Sequence, residues 1–534
     1  MRHLSPSAHL DTFARDHLPP PEQWPDLLLD RPELHYPDRL NCGTELLDRT
    51  VARLGRDRPA LRAEAPATPS GSGSGPEAHA TTWSYGELQD HVDRLAHVLT
   101  RELGVLPGNR VLLRGPTSPQ LAACWLAVMK AGGIAVTVLA AQRPHELRTV
   151  CGLARAGHAL CDTRATDDLI AARIPGLRVT PFGSDTPDDL LRLAENAPSA
   201  PYAAVATAAD DVALIAFTSG TTGRPKGCVH FHRDVLAVAD TFSAHVLRPR
   251  PDDVFAGSPP LGFTFGLGGL LLFPLRAGAS TVLEQWSGAE GLLAAVGRHR
   301  VTVLFTAPTA YRAMLAKLAE PAHGPETGSA YDDTSYVIPP YDVSSLRRCV
   351  SAGENLPAAT WRGWHERTGL RLINGIGATE MLHIFLSAAD EAARPGVTGV
   401  PVPGFEARVV GPEGTAPLPD GEPGLLAVRG PVGCRYLDDE RQREYVREGW
   451  NLTGDSYVRE PDGYFRYVAR ADDMIISAGY NIAGPEVEEV LLRHPDVVEA
   501  AVVGRPDEKR GQAVVAHVVL RSGTPEGEAT AEAL

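Results

Sequence analysis

The sequence predicts an α/β protein built on two doubly wound, mainly parallel sheets, with a β-rich subdomain and a small α+β domain at its C-terminal end. Three observations carry that prediction. Short β-branched runs alternate with longer helical ones as far as Gly399, short strands with Pro/Gly turns follow, and a third texture begins near Asp472.

The first observation is clearest at Arg110 to Arg114 (RVLLR), which reads as a strand. Pro119 to Ala131 follows as a helix started by proline, Gly132 and Gly133 stop it, and Ile134 to Leu139 is the next strand. Comparable units are Val254 to Gly257, an apolar helix near Gly266 to Leu275, and Ser280 to Leu283. Another runs from Val301 to Phe305 through a helix from Thr309 to the strand Arg348 to Ser351 and a helix from Ala358. Parallel neighbours need a crossover long enough for a helix, so this alternation points to sheets covered on both faces.

The second observation is the run GVPVPGFEARVVG and GEPGLLAVRG, which suits a β-rich subdomain. In the third, DMIISAGYNIAG reads as a hairpin, Pro485 to Arg493 as a helix, and Val497 to Gly504 and Val514 to Leu520 as strands. The boundary of this small domain is expected at Ala471 to Asp473. Ala65 to Ala80, rich in Pro, Gly, Ser and Ala, and the polar stretch Glu320 to Asp333 are expected as surface loops.

Composition excludes several function classes. The chain has 534 residues, enough for two or more domains. With 51 Lys plus Arg against 66 Asp plus Glu, the net charge of -15 argues against a general nucleic-acid binder and against an anionic membrane as partner. The seven cysteines are scattered singly, without the spacing of a zinc site or a disulfide framework, and are expected as reduced, buried thiols. Met1 to Phe13 lacks the apolar stretch of a secretory signal. The most apolar segment, Leu261 to Leu275, is 15 residues long and broken by four glycines, Thr264 and Pro274, too short to span a bilayer. A cytoplasmic location is expected.

The most informative segment is FTSGTTGRPKG, Phe217 to Gly227, directly after an apolar strand from Val212. Glycine permits close backbone approach to a ligand, amide and hydroxyl groups donate hydrogen bonds, and the Lys226 ammonium neutralises charge. These residue types suit a loop wrapped around a polyphosphate. The bland alternative is an ordinary flexible turn. It is not the common P-loop, because Lys226 is followed by Gly227 rather than Ser or Thr.

TSGTTGRPKG resembles the phosphate-binding signature of the adenylate-forming enzymes, a family of acyl-CoA ligases, peptide-synthetase adenylation domains and luciferases. The resemblance implies that Thr218, Ser219, Gly220, Thr221, Thr222 and Gly223 bind ATP and that Lys226 is catalytic. NGIGATE, Asn374 to Glu380, resembles the family's adenine and magnesium motif. That places Asn374, Gly375, Ile376 and Gly377 on the nucleotide, Thr379 on the α-phosphate and Glu380 on Mg²⁺ through oxygen. SAGENLP, Ser351 to Pro357, resembles the segment bordering adenine, with Gly353 and Glu354. TGD implies that Asp455 clasps the ribose hydroxyls. ARADDMIISAGYNIAGPEVE, Ala469 to Glu488, resembles the interdomain hinge, with Arg470 on the nucleotide and Asp472 as pivot. Gly479 and Tyr480 would then border coenzyme A. Taken singly, Glu380, Asp455 and Arg470 read as solvated charges or helix caps.

GIGATEMLHIFLSA and PPLGFTFGLGG are similar to benzoate and 2-aminobenzoate CoA ligases. That resemblance puts Phe265, Gly266, Ala352, Gly377 and His383 around an aromatic acid, although a Phe or His beside an apolar run is ordinarily core. Residues 1–470 are expected to form the adenylation domain and 471–534 a partial swivelling domain. The implied activity is ATP-dependent formation of an aryl-adenylate and transfer to coenzyme A, with ATP, Mg²⁺ and coenzyme A required. The family's C-terminal basic stretch and its catalytic lysine are not matched, since only Arg510 and Arg521 follow Lys509. Transfer to a carrier-protein pantetheine, a C-terminal segment supplied in trans, a homodimer and a non-catalytic binding remnant remain open at this point.

Overall fold

The computed structural model describes residues 4–64, 80–219, 224–320, 341–477, 480–507 and 510–533. Most of the two expected surface loops, residues 65–79 and 321–333, lies outside them. Ala80 departs from expectation: it starts the strand Ala80–Ser84 and pairs with Glu64. The β-forming run Thr81, Thr82, Trp83 carries the ladder back to it.

A six-stranded sheet runs in the order Arg178–Phe182, His158–Asp162, Arg110–Arg114, Ile134–Thr137, Val212–Ser219, Pro225–Phe231, parallel except for its last pair. In a nine-stranded sheet, Leu372–Gly377, Arg348–Ser351, Val303–Thr306, Val254–Gly257, Ser280–Val282 and Pro59–Glu64 are parallel neighbours, with antiparallel strands at both edges. A five-stranded antiparallel sheet holds Trp450–Arg459 and Phe465–Arg470. A four-stranded sheet with the helix Gly484–Leu491 comes next, followed by the short helix Glu528–Ala533. The α/β architecture is therefore the one the sequence predicts.

The helix Pro119–Lys130 shows how the two large sheets are joined. Ser118 accepts a hydrogen bond from the Leu121 N–H at 3.2 Å, and Pro119 occupies the first turn, where its missing N–H costs nothing. The helix touches Arg110–Arg114 and Ile134–Thr137 on one side and Pro59–Glu64 of the other sheet on the other. It is buried all round, which explains why PQLAACWLAVMK lacks a polar face. Its one cation, Lys130, is neutralised by Asp48 at 2.9 Å and by Asp93.

The expected apolar helix near Gly266 to Leu275 starts earlier and is interrupted. It runs as Thr264–Leu267, wide π-type turns at Gly268–Leu272, then Phe273–Ala277. Pro274 removes an amide from the helical ladder, and a π turn accommodates such a break. All seven cysteines are free and buried. No helix among the described residues is long and apolar enough to cross a membrane.

Three fully buried histidines tie stability to pH. Burial pushes His230 down to about 4, and His232 and His383 down to about 3, from 6.5. The unfolded chain takes up protons below pH 6.5 that the folded chain declines. Stability is therefore complete above that pH and falls as the pH drops towards the folded values. With three protons involved, the slope approaches ~4 kcal/mol per pH unit. The urea midpoint, followed by tryptophan fluorescence, should be level above pH 7 and drop steeply between pH 6 and pH 4; a midpoint that rises over that interval would contradict this.

Candidate active site

At the carboxyl ends of the parallel strands a cavity of about 690 Å³ opens, the usual place for a ligand in an open α/β sheet. Several separate stretches of chain meet there. The hairpin Val212–Ser219 with Pro225–Phe231 brings Thr218 and Lys226, which sit opposite each other in the ladder. Gly353 and Glu354 follow the end of Arg348–Ser351, and Asn374 to Glu380 run along and beyond Leu372–Gly377. The five-stranded sheet adds Asp455, Arg470 and, just past it, Asp472.

The charged groups are held individually. The Lys226 ammonium lies 4.8 Å from the centre of the Tyr436 ring and 5.9 Å from that of Tyr445. Glu380 is buried, and its Oε1 accepts a hydrogen bond from the Tyr436 hydroxyl at 2.5 Å. The Thr379 carbonyl lies 2.8 Å from His230 Nε2, which donates to it from the neutral ring. Asp455 pairs across the ladder with Arg470, whose Nη1 donates to its Oδ1 at 3.1 Å. Burial raises the Asp455 carboxyl above its ordinary range, and Arg470 opposes that rise. Arg470 also faces Asp472, at 3.5 Å.

A smaller cavity, about 50 Å³, adjoins the first. Phe265, Ala352, Gly377 and His383, the residues expected around an aromatic acid, line it. His383 is packed among Phe242, Phe265, Phe273 and Phe305, with ring centres 4.6 to 6.4 Å away. Its ring nitrogens meet no side-chain partner among the described residues, and the Phe265 backbone is the polar group that favours the charged ring. Gly268 makes room for it, since a Cβ there would lie 2.3 Å from His383 Cδ2.

Gly266 is placed differently. A Cβ there would lie 2.2 Å from the Pro260 carbonyl oxygen, so this glycine lets the helix approach the Pro259–Pro260 backbone and does not line the cavity. Gly266→Ala should therefore lower the melting temperature by several degrees and enlarge the KM for the acid, because neither carbonyl belongs to a flexible side chain. A thermal melt and KM both unchanged would show that this turn yields freely. Gly220, Thr221, Thr222, Gly223 and Gly479 lie outside the described residues, as do the side chains of Ser219 and Tyr480.

Several residues escaped the sequence reading. Phe263, 42% exposed, lines both cavities. Tyr436, Tyr445, Arg441 and His230 surround Lys226 and Thr379 without belonging to any recognisable motif. Tyr436 reaches the site because its backbone bridges to Cys228, a contact of long sequence separation that no local pattern announces.

Comparison with known proteins agrees with this geometry. Residues 47–436 match the family described as AMP-binding enzyme, and residues 486–534 match the AMP-binding enzyme C-terminal domain. The chain belongs to the AMP-binding enzyme family. A benzoate–CoA ligase of Thauera aromatica is 30% identical over 503 residues, covering 93% of this chain and 89% of its own. A 4-hydroxybenzoate–CoA/benzoate–CoA ligase of Rhodopseudomonas palustris is 34% identical over 434 residues, covering 79% and 76%. The structure of an anthranilate CoA ligase bound to anthranoyl-AMP superposes with a TM-score of 0.82 at 30% identity, covering 94% of this chain and 91% of that one. In this AMP-binding enzyme, Thr218, Lys226, Gly353, Glu354, Asn374 to Glu380, Asp455 and Arg470 thus line one cavity.

Proposed function

We propose that this enzyme activates a benzoate-type acid with ATP, releasing pyrophosphate, and passes the aryl group from the resulting adenylate to coenzyme A. The observation that carries this reading is that the two cavities share walls. Phe263, Gly353, Gly377, Ala378 and Thr379 border both, so an acid lying against Phe265 and His383 points its carboxylate at the nucleotide cavity. The benzoate and anthranilate ligases among its relatives support the same substrate class.

The roles follow from where charge moves. A carboxylate is a poor electrophile, so its oxygen attacks the α-phosphorus, the bond to pyrophosphate breaks, and negative charge gathers on phosphate oxygens. Lys226 and the amide and hydroxyl donors beside it answer that charge. Asp455 and Arg470 hold the ribose side, and the apolar walls around His383 exclude water. Glu380, a buried carboxylate facing the nucleotide cavity, fits an oxygen-seeking divalent ion. When bound, Mg²⁺ adds positive charge at the phosphates. In the second half-reaction the thiolate attacks the carbonyl carbon and AMP leaves with the bridging oxygen. We assign residues 1–470 to the first chemistry and 471–534, turning about Asp472, to access for the thiol. A cytoplasmic location accords with reduced, buried cysteines.

Pyrophosphate release measured across benzoate, 2-aminobenzoate, 4-hydroxybenzoate and octanoate tests the substrate class. The aryl acids should be turned over at least ~10²-fold more efficiently than octanoate, since a pocket of about 50 Å³ walled by Phe265 and His383 is too small for a long alkyl chain. Octanoate as the best substrate would overturn the aryl assignment. Running the reaction with coenzyme A and with a carrier-protein pantetheine identifies the acceptor, and free coenzyme A is the expected one.

A further inference from the structure

We propose that Tyr436 is a positioning residue that holds Lys226 and Glu380 apart and aims each at its own partner, the lysine at phosphate and the glutamate at the divalent ion. The proposal rests on the reading of those two residues given above. Opposite charges within reach of one another in a partly buried site attract strongly enough to form an ion pair, which would remove both from the reaction. No such pair joins Lys226 to Glu380 among the described residues. Instead the Tyr436 side chain lies between them, its ring 4.8 Å from the ammonium and its hydroxyl 2.5 Å from Glu380 Oε1. The π face offers the cation an attraction that leaves its N–H donors free for phosphate. The hydroxyl occupies one carboxylate oxygen and fixes the direction of the other.

Tyr436 is rigid enough for this role. It is fully buried. Its backbone N–H donates to Gln442 Oε1 at 2.8 Å, and Gln442 Nε2 is anchored in turn on the carbonyls of Gln23 and Cys434. The Tyr445 ring packs edge-on against it at 5.6 Å.

Two variants of the full chain separate the two contacts. Tyr436→Phe keeps the ring beneath Lys226 and deletes only the hydroxyl, whereas Tyr436→Leu removes both. Three readouts are needed: free Mn²⁺ by electron paramagnetic resonance in the presence of ATP, adenylation at saturating metal, and thioester formation from synthetic benzoyl-adenylate. In Tyr436→Phe the Mn²⁺ affinity should fall about 10-fold, with adenylation at saturating metal within about two-fold of wild type. In Tyr436→Leu adenylation should fall about 10²-fold even at saturating metal, while both variants consume benzoyl-adenylate at nearly the wild-type rate. Unchanged Mn²⁺ affinity in Tyr436→Phe, or an equal fall of both half-reactions, would overturn the proposal. If the wild-type chain adenylates no aryl acid, the functional reading fails, and the Mn²⁺ titration still decides whether Tyr436 positions Glu380.

Discussion

Lys226→Ala should lower aryl-acid-dependent pyrophosphate release by about 10²-fold or more, with little change in melting temperature. The ammonium lies beside the Tyr436 and Tyr445 rings at the wall of a cavity, and those rings pack against each other without it, so the fold depends little on it. Its charge matters most where phosphate oxygens gain charge, which is the transition state of adenylation. Removal of a donor aimed at that state lowers kcat and kcat/KM together. Thioester formation from a preformed aryl-adenylate has no departing pyrophosphate and should stay within a few-fold of wild type. A variant with near-normal pyrophosphate release would remove Lys226 from the mechanism.

Asp455→Ala should have the opposite signature and damage both half-reactions. A carboxylate that clasps ribose hydroxyls holds ATP in the first step and the aryl-adenylate in the second. Hydrogen bonds to a charged group contribute ~1.5–3 kcal/mol, so KM for ATP and for synthetic aryl-adenylate should each rise about 10- to 100-fold. The stability cost should be small. Arg470, left without its 3.1 Å partner, is partly exposed and already faces Asp472. A rise confined to ATP would place Asp455 on the triphosphate rather than on the ribose.

The contrast between these two residues also shows what was legible in the sequence. Lys226 and Asp455 stand in short contiguous strings, TSGTTGRPKG and TGD, whose composition states a chemistry before any fold is known. The same holds for Arg110–Arg114 and Arg348–Ser351, strands found with the expected bounds because β-branched runs end abruptly at turn residues. What escaped depends on distance along the chain. Tyr436 touches Glu380 and Lys226 from positions 56 and 210 residues away, and CRYL carries no periodicity or spacing that predicts it. His230 reads as one more histidine in a strand until the Thr379 carbonyl is placed beside it. The resemblance places Gly266 beside the ring along with Phe265, yet only three dimensions show that its missing Cβ faces Pro259 and Pro260.

Oxygen transfer tests the central claim most directly. Benzoate or 2-aminobenzoate labelled with ¹⁸O in the carboxylate is incubated with the enzyme, ATP, Mg²⁺ and coenzyme A, and the nucleotide product is analysed by mass spectrometry. Attack of the carboxylate on the α-phosphorus leaves one acid oxygen on phosphate when the thiol later cleaves the mixed anhydride. The account predicts AMP carrying one ¹⁸O, formed in step with aryl-CoA and unlabelled pyrophosphate. Unlabelled AMP, or ADP with the ¹⁸O in inorganic phosphate, would contradict it.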